Sequence, residues 1–233
     1  MVEKLQYINT RKLIRMSVLA FENGLRLHED AILLYRNESY PTAYLVSVLS
    51  MEEFGKSLAL EDYLWNSSVN GKAPPKLERE FIDALYNHKF KQKRFARNLD
   101  IPGYCRKAIQ NIFDGHSETM KHASTYVGLY KVGRKIDYKG KIINPLKFNA
   151  KKAFDQLTVV NDFIVVLALG CIKGTHSMDL VGLEELFTHE LVISLKEKWP
   201  DMSKSSKQQF LQIEKYEDMS LEERGITNQP SGR

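Results

Sequence analysis

The chain has 233 residues, 43% of them apolar, which is enough to bury a substantial core within one domain. Its net charge of +5 is compatible with nucleic acid but too mild to identify a nucleic-acid binder by itself. The only cysteines, Cys105 and Cys171, lack CxxC spacing, which argues against a disulfide framework and favours a reducing compartment, the cytoplasm.

Helical periods dominate, so the sequence predicts an all-α antiparallel bundle: one domain over residues 1–217 and a polar tail over 218–233. Residues Met1 to Arg15 mix charge with apolar residues and do not read as an export leader. A first helix, Thr10 to Arg36, carries Leu13, Met16, Ala20, Leu27 and Ala31 at helical spacing.

A second helix runs from Pro41 to Trp65 and contains Met51-Glu52-Glu53-Phe54-Gly55-Lys56. At about 100° per residue, Glu52 and Lys56 share a stripe with Leu45, Val48, Leu49 and Ala59 and therefore point inward. An inward ion pair within about 4 Å is expected, because neither group is buried alone without a cost of several kcal/mol. Ala43, Met51, Phe54 and Leu58 make the opposite face apolar too, which predicts a central helix or a subunit interface, and with it a homodimer. Gly55 lets another backbone approach closely.

Asn66 to Pro75 reads as a loop and Leu77 to Asn98 as a third helix, with His88 in phase with Phe81, Ala84, Leu85 and Phe95 and flanked by Lys91. Helices two and three are expected to pack antiparallel, which sets His88 at the depth of Glu52 and Lys56. A fourth helix, Tyr104 to Val127, aligns His116 with Ile109, Ile112 and Met120 and so aims it inward as well. Gly128 to Asn149 is an irregular loop or short hairpin with Lys131, Arg134, Lys135, Lys139 and Lys141, read as a flap or partner-contact loop. Helices over Ala150 to Lys173 and Leu183 to Lys198 follow, with a short one over Ser203 to Tyr216. The longest apolar run, Phe163 to Ile172, has ten residues, well short of the roughly 20 that span a bilayer, so a buried core helix and no membrane are expected.

Ser39-Tyr40-Pro41-Thr42-Ala43 leading into Ser50 to Lys56, then His88-Lys89-Phe90-Lys91, then Tyr126-Val127 and Pro145, resembles the AbiV family of abortive-infection proteins over about residues 10 to 175. The resemblance implies the HEPN superfamily: an up-and-down helix bundle, homodimerisation, a role in prokaryotic defence against phage and, in many members, metal-independent ribonuclease activity. Two departures stand out. The short Arg-to-His spacing of HEPN ribonucleases is unmatched, since eight residues separate Arg79 from His88 and nine separate Arg106 from His116. Lys121 and His122 stand where AbiV relatives carry an arginine before the Tyr-Val element.

Two functions follow. In the first, RNA is cleaved without a metal: His88 moves the proton of the 2′-hydroxyl, Lys56 or Lys91 stabilises the phosphorane and Glu52 orients one of them. No zinc-site spacing, Gly-rich phosphate loop or Gly-x-Ser-x-Gly turn is present, and Glu52 and Glu53 lack the Glu-x-x-His spacing of a di-iron bundle, so no metal or cofactor is expected. In the second, a non-catalytic bundle binds a phage component, RNA or the translation machinery, with Lys121, His122, Tyr126, Arg134 and Lys135 as contact residues. A catalytic cluster opens to solvent at His88; a structural one is sealed, with every charge paired.

Overall fold

A computed structural model describes residues 7–98, 106–129, 131–132, 135–172 and 181–201. Among them are eight α-helices: α1 Thr10–Arg36, α2 Tyr40–Asn70, α3 Pro75–Ala84, α4 His88–Asn98, α5 Arg106–Phe113, α6 His116–Thr125, α7 Ala150–Ile172 and α8 His189–Lys198. The fold is all-α, as its periodicity predicts.

Helices α1 and α2 form an antiparallel hairpin whose axes approach closely because small residues line the seam. The Ser17 hydroxyl donates to the Ser57 carbonyl at 3.2 Å, Ser57 returns a bond to the Ser17 carbonyl at 2.9 Å, and Ser50 donates to the Gly24 carbonyl at 2.7 Å. A Cβ at Gly24 would lie 2.7 Å from the Phe54 ring, so that phenyl group occupies the space a side chain would take. Helix α2 is the axis of the molecule, packed by α1, α4, α6 and α7 within one chain. Its two apolar faces are thereby covered inside the protomer, and the inference from them to a subunit interface loses its basis.

Helix α7 is long and apolar enough to cross a bilayer by length and composition. Here Ala153, Leu157, Val160, Phe163, Ile164 and Leu167 are buried, and α7 packs on α1, α2 and α8 as the expected core helix.

Several boundaries differ from expectation. The second helix continues to Asn70, with Gly71 at φ +78° closing it. The third predicted helix is two: Leu85 and Tyr86 turn, and Asn87 starts α4 by accepting a bond from the Phe90 amide on its side-chain oxygen at 3.1 Å. The fourth is also two, divided at Asp114-Gly115, where Gly115 adopts φ +77°. The region after α6 holds the expected hairpin in nested form: β1 Gly128–Leu129 pairs with β4 Ile142–Ile143, and β2 Lys131–Val132 pairs with β3 Lys135–Ile136, both antiparallel. A 3₁₀ turn at Glu184–Leu186 replaces the start of the helix expected over Leu183 to Lys198, and Thr188 caps α8 by accepting from the Leu191 amide at 3.2 Å. Tyr104, Cys105, Arg134, the segment Ser203 to Tyr216 and the polar tail lie outside the described residues.

Buried carboxylates tie the elements together. Glu78 on α3 accepts from the Ile8 amide and the Tyr63 hydroxyl, each at 2.6 Å, clasping α3 to α2. Glu61 on α2 accepts from the Val181 and Gly182 amides at 2.5 and 3.1 Å, which anchors the chain before α8.

Candidate functional site

Glu52 is buried at the middle of α2, its side chain 2% exposed. The partner expected from spacing, Lys56, turns instead to Glu53 at 2.8 Å, with both groups half-buried at the edge of the apolar stripe. The predicted Glu52–Lys56 pair is therefore absent, and other helices compensate Glu52. Lys91 on α4 reaches Oε2 at 3.3 Å, and Lys121 on α6 reaches Oε1 at 3.1 Å. Gln92 donates to Oε1 at 2.9 Å, and the His88 Nδ1–H donates to Oε2 at 2.6 Å. His88, Lys91 and Gln92 occupy one face of α4, three and four residues apart, so a single turn of helix presents all three to α2.

The approach of α4 depends on Gly55. A Cβ there would lie 1.9 Å from the Lys91 carbonyl oxygen and 3.2 Å from the Phe95 amide, so only glycine lets the α4 backbone reach this depth.

A second carboxylate extends the network. Glu118 on α6 accepts from Lys121 at 2.7 Å and from Gln92 at 3.0 Å on Oε2, while Oε1 faces the His122 Nε2 at 3.2 Å. Two carboxylates and two lysines balance in charge. Burial pushes the Glu52 carboxyl upward, but the bonds from His88 and Gln92 and the charge of Lys121 outweigh it and hold Glu52 below the ordinary glutamate value. Burial likewise lowers Lys121, yet the bonds and charges of Glu118 and Glu52 prevail and raise its ammonium above the ordinary lysine value.

Exposure divides the network in two. Lys91 and Lys121 are sealed inside, whereas the His88 and His122 side chains are 53% and 60% exposed. The sealed part matches a structural cluster; the histidines match a site open to solvent. The sequence brought Glu52 and His88 to notice by phase, Lys91 as the neighbour of His88, and Lys121 and His122 by the family resemblance, and the structure joins all five. It missed Gln92 and Glu118, whose signal was helical spacing: Gln92 lies four residues after His88, and Glu118 lies four before His122.

Tyr126, at the end of α6, is exposed, with its ring 5.9 Å from that of His122. The backbone of Lys135 lies in β3, and its side chain lies outside the described residues. His116 does not point inward as predicted: it is the exposed first residue of α6 and edges a cavity of about 150 Å³ with Tyr44, Ser117, Met120, Lys152 and Gln156. His116 and Met120, which line that cavity, fall on the face of α6 opposite Glu118 and His122. Among the described residues, no group of three His, Cys, Asp or Glu side chains is arranged to hold a metal ion.

The family model for AbiV, of the HEPN type, matches residues 12–164 and so takes in α2, α4, α6 and every member of this network. The chain belongs to the AbiV family. No curated protein and no solved structure matches it. AbiV membership supports a role in abortive infection, a HEPN-type defence.

Proposed function

We propose that this AbiV protein defends against phage by acting on RNA, which it cleaves without a metal ion through a dyad of His88 and Glu52. The observation that carries this reading is a half-exposed imidazole whose Nδ1–H is held at 2.6 Å by a buried carboxylate, leaving Nε2 as the nitrogen free for chemistry. Such an arrangement fixes the ring and its tautomer and supports the imidazolium that forms when Nε2 takes a proton. The 2′-hydroxyl of RNA is the proton donor in this scheme, and its oxygen attacks the adjacent phosphorus. Position adds to the argument: His88 opens α4, and a helix N-terminus favours an approaching phosphate.

Roles expected for the lysines change. Lys91 and Lys121 neutralise Glu52 and Glu118 rather than meeting a phosphorane, and Lys56 is committed to Glu53. Their work in this scheme is to keep Glu52 ionised beneath His88.

The test is cleavage of single-stranded RNA by the purified protein in the presence of a chelator. His88→Ala is expected to lose about a hundredfold or more in rate while keeping its melting temperature, and to lose phage protection in cells. A stable His88→Ala variant that still protects fully would overturn the catalytic reading.

A second reading draws on a different observation. The sealed, charge-balanced lysines suit a purely structural network, and exposed Tyr126, Val127, Ile142 and Leu146 beside exposed Lys139, Lys141 and Lys147 suit a surface that contacts a phage component or the translation machinery. Under that reading, His88→Ala protects normally and substitutions in the hairpin do not. Both readings place the protein in the cytoplasm, as a homodimer by family likeness.

A further inference from the structure

We infer that His122 is the second proton-transfer group of this site, paired with His88, and that Tyr126 beside it holds a base of the single-stranded RNA. The inference rests on the reading that His88 cleaves RNA and adds a residue which that reading does not need.

An exposed Glu and His four residues apart on one helix are ordinarily a weak surface pair. Glu118 differs because its other oxygen is built into the core. Lys121 binds Glu118 Oε2 at 2.7 Å and Glu52 Oε1 at 3.1 Å, and the Gln92 amide bridges the same two oxygens at 3.0 and 2.9 Å. Those oxygens are therefore no more than about 6 Å apart, fixed by two shared donors. Each carboxylate presents its remaining oxygen to a half-exposed imidazole: Glu52 to Nδ1 of His88 at 2.6 Å, Glu118 to Nε2 of His122 at 3.2 Å. His88 donates its Nδ1–H to Glu52, His122 sets Nε2 in ion-pair contact with Glu118, and each ring keeps its other nitrogen for proton transfer. Two histidines from different helices are thus mounted on one buried frame.

The chemistry has places for both. As O2′ bonds to phosphorus, one imidazole takes the 2′-hydroxyl proton; as the P–O5′ bond breaks, an imidazolium gives its proton to O5′. The products are a 2′,3′-cyclic phosphate and a 5′-hydroxyl end, and the two histidines exchange protonation states with no other reactant. Tyr126 supplies the base contact: its exposed ring lies 5.9 Å from the His122 ring at 31° to it.

The experiment compares an RNA oligonucleotide with the same oligonucleotide carrying sulfur in place of the bridging O5′ at one linkage. A thiolate leaves without being protonated, so the thio linkage spares the general acid alone. His122→Ala is expected to lose about a hundredfold or more on ordinary RNA at unchanged melting temperature, and His122→Gln, which keeps a polar side chain beside Glu118, to lose as much. Of His88→Ala and His122→Ala, one alone should regain a near wild-type rate on the thio linkage. Tyr126→Ala should weaken single-strand binding about tenfold or more, and Tyr126→Trp should not. Wild-type cleavage by His122→Ala or His122→Gln, or rescue of both or neither histidine variant, overturns the pairing while leaving His88 intact as the reading above has it. An unchanged affinity in Tyr126→Ala removes the base contact, and a wild-type protein that cleaves neither substrate overturns the proposed function and this inference together.

Discussion

Glu52 shows how one residue both holds the protein together and orients a reactive group. Replacing it with Ala leaves buried Lys91 uncompensated and takes from Lys121 one of its two carboxylates, and should destabilise the fold by about 3 to 5 kcal/mol, measurable by chemical denaturation. Its pH signature is specific. The folded carboxyl titrates below the ordinary 4.5, so its contribution is full above that pH and is lost as pH falls through the depressed value; the gap between wild type and Glu52→Gln should close below pH 4.5. His28 titrates in a different window. Burial lowers it from 6.5 to about 4, outweighing the hydrogen bond to Asn161 that raises it, so the unfolded chain takes up its proton first. Stability is therefore full above pH 6.5 and falls by about 3 kcal/mol as pH drops toward 4, a slope that His28→Gln should flatten. Polar residues in phase with an apolar stripe were legible in the sequence, which is why Glu52, His88 and Lys91 could be read as one cluster. Which cation meets Glu52 was not legible: Lys56 has good spacing along α2, but a side chain from another helix fills the buried side and leaves Lys56 to Glu53.

At the scale of elements, the decisive contact is backbone against backbone. Gly55→Ala would drive a methyl group into the Lys91 carbonyl and push α4 off α2, at a cost of about 1 to 3 kcal/mol or more. Gly71→Ala is a useful contrast, because nothing lies within 4 Å of its Cβ and only the positive φ is strained. Thermal melts should show a clearly larger drop for Gly55→Ala, with loss of His88-dependent activity. Helix existence was readable from periodicity, but the breaks at Leu85–Asn87 and Asp114-Gly115 were not taken from it, because apolar phase continues through both. The cues were local: Asn87 is a good N-cap, and Asp-Gly is a turn dipeptide. His88 still meets Glu52 although the helix assumed to carry it is divided, since α4 alone supplies the antiparallel contact with α2.

In the whole molecule, α2 contributes to the main apolar cluster through Val48, Met51, Phe54 and Leu58, to a second through Ala59, Leu60 and Leu64, and packs Val46 against a third around Trp199. One helix running through all three argues for a single cooperative unit. Urea unfolding followed by far-ultraviolet circular dichroism and by fluorescence of Trp65 and Trp199 should give coincident transitions, and separated curves would show that the helices around Glu52 unfold on their own. The sequence order of the site has a consequence for synthesis. Every group that neutralises or orients Glu52 lies later in the chain, the last of them Lys121, 69 residues further on. At roughly 5 to 20 residues per second, the α1–α2 hairpin waits about 3 to 14 seconds with a bare carboxylate on its inner face before the ammonium that closes the network is even made. A toxic activity carried by His88 would then be unable to assemble on the ribosome that is making it until α6 has emerged, a built-in delay between translation and attack.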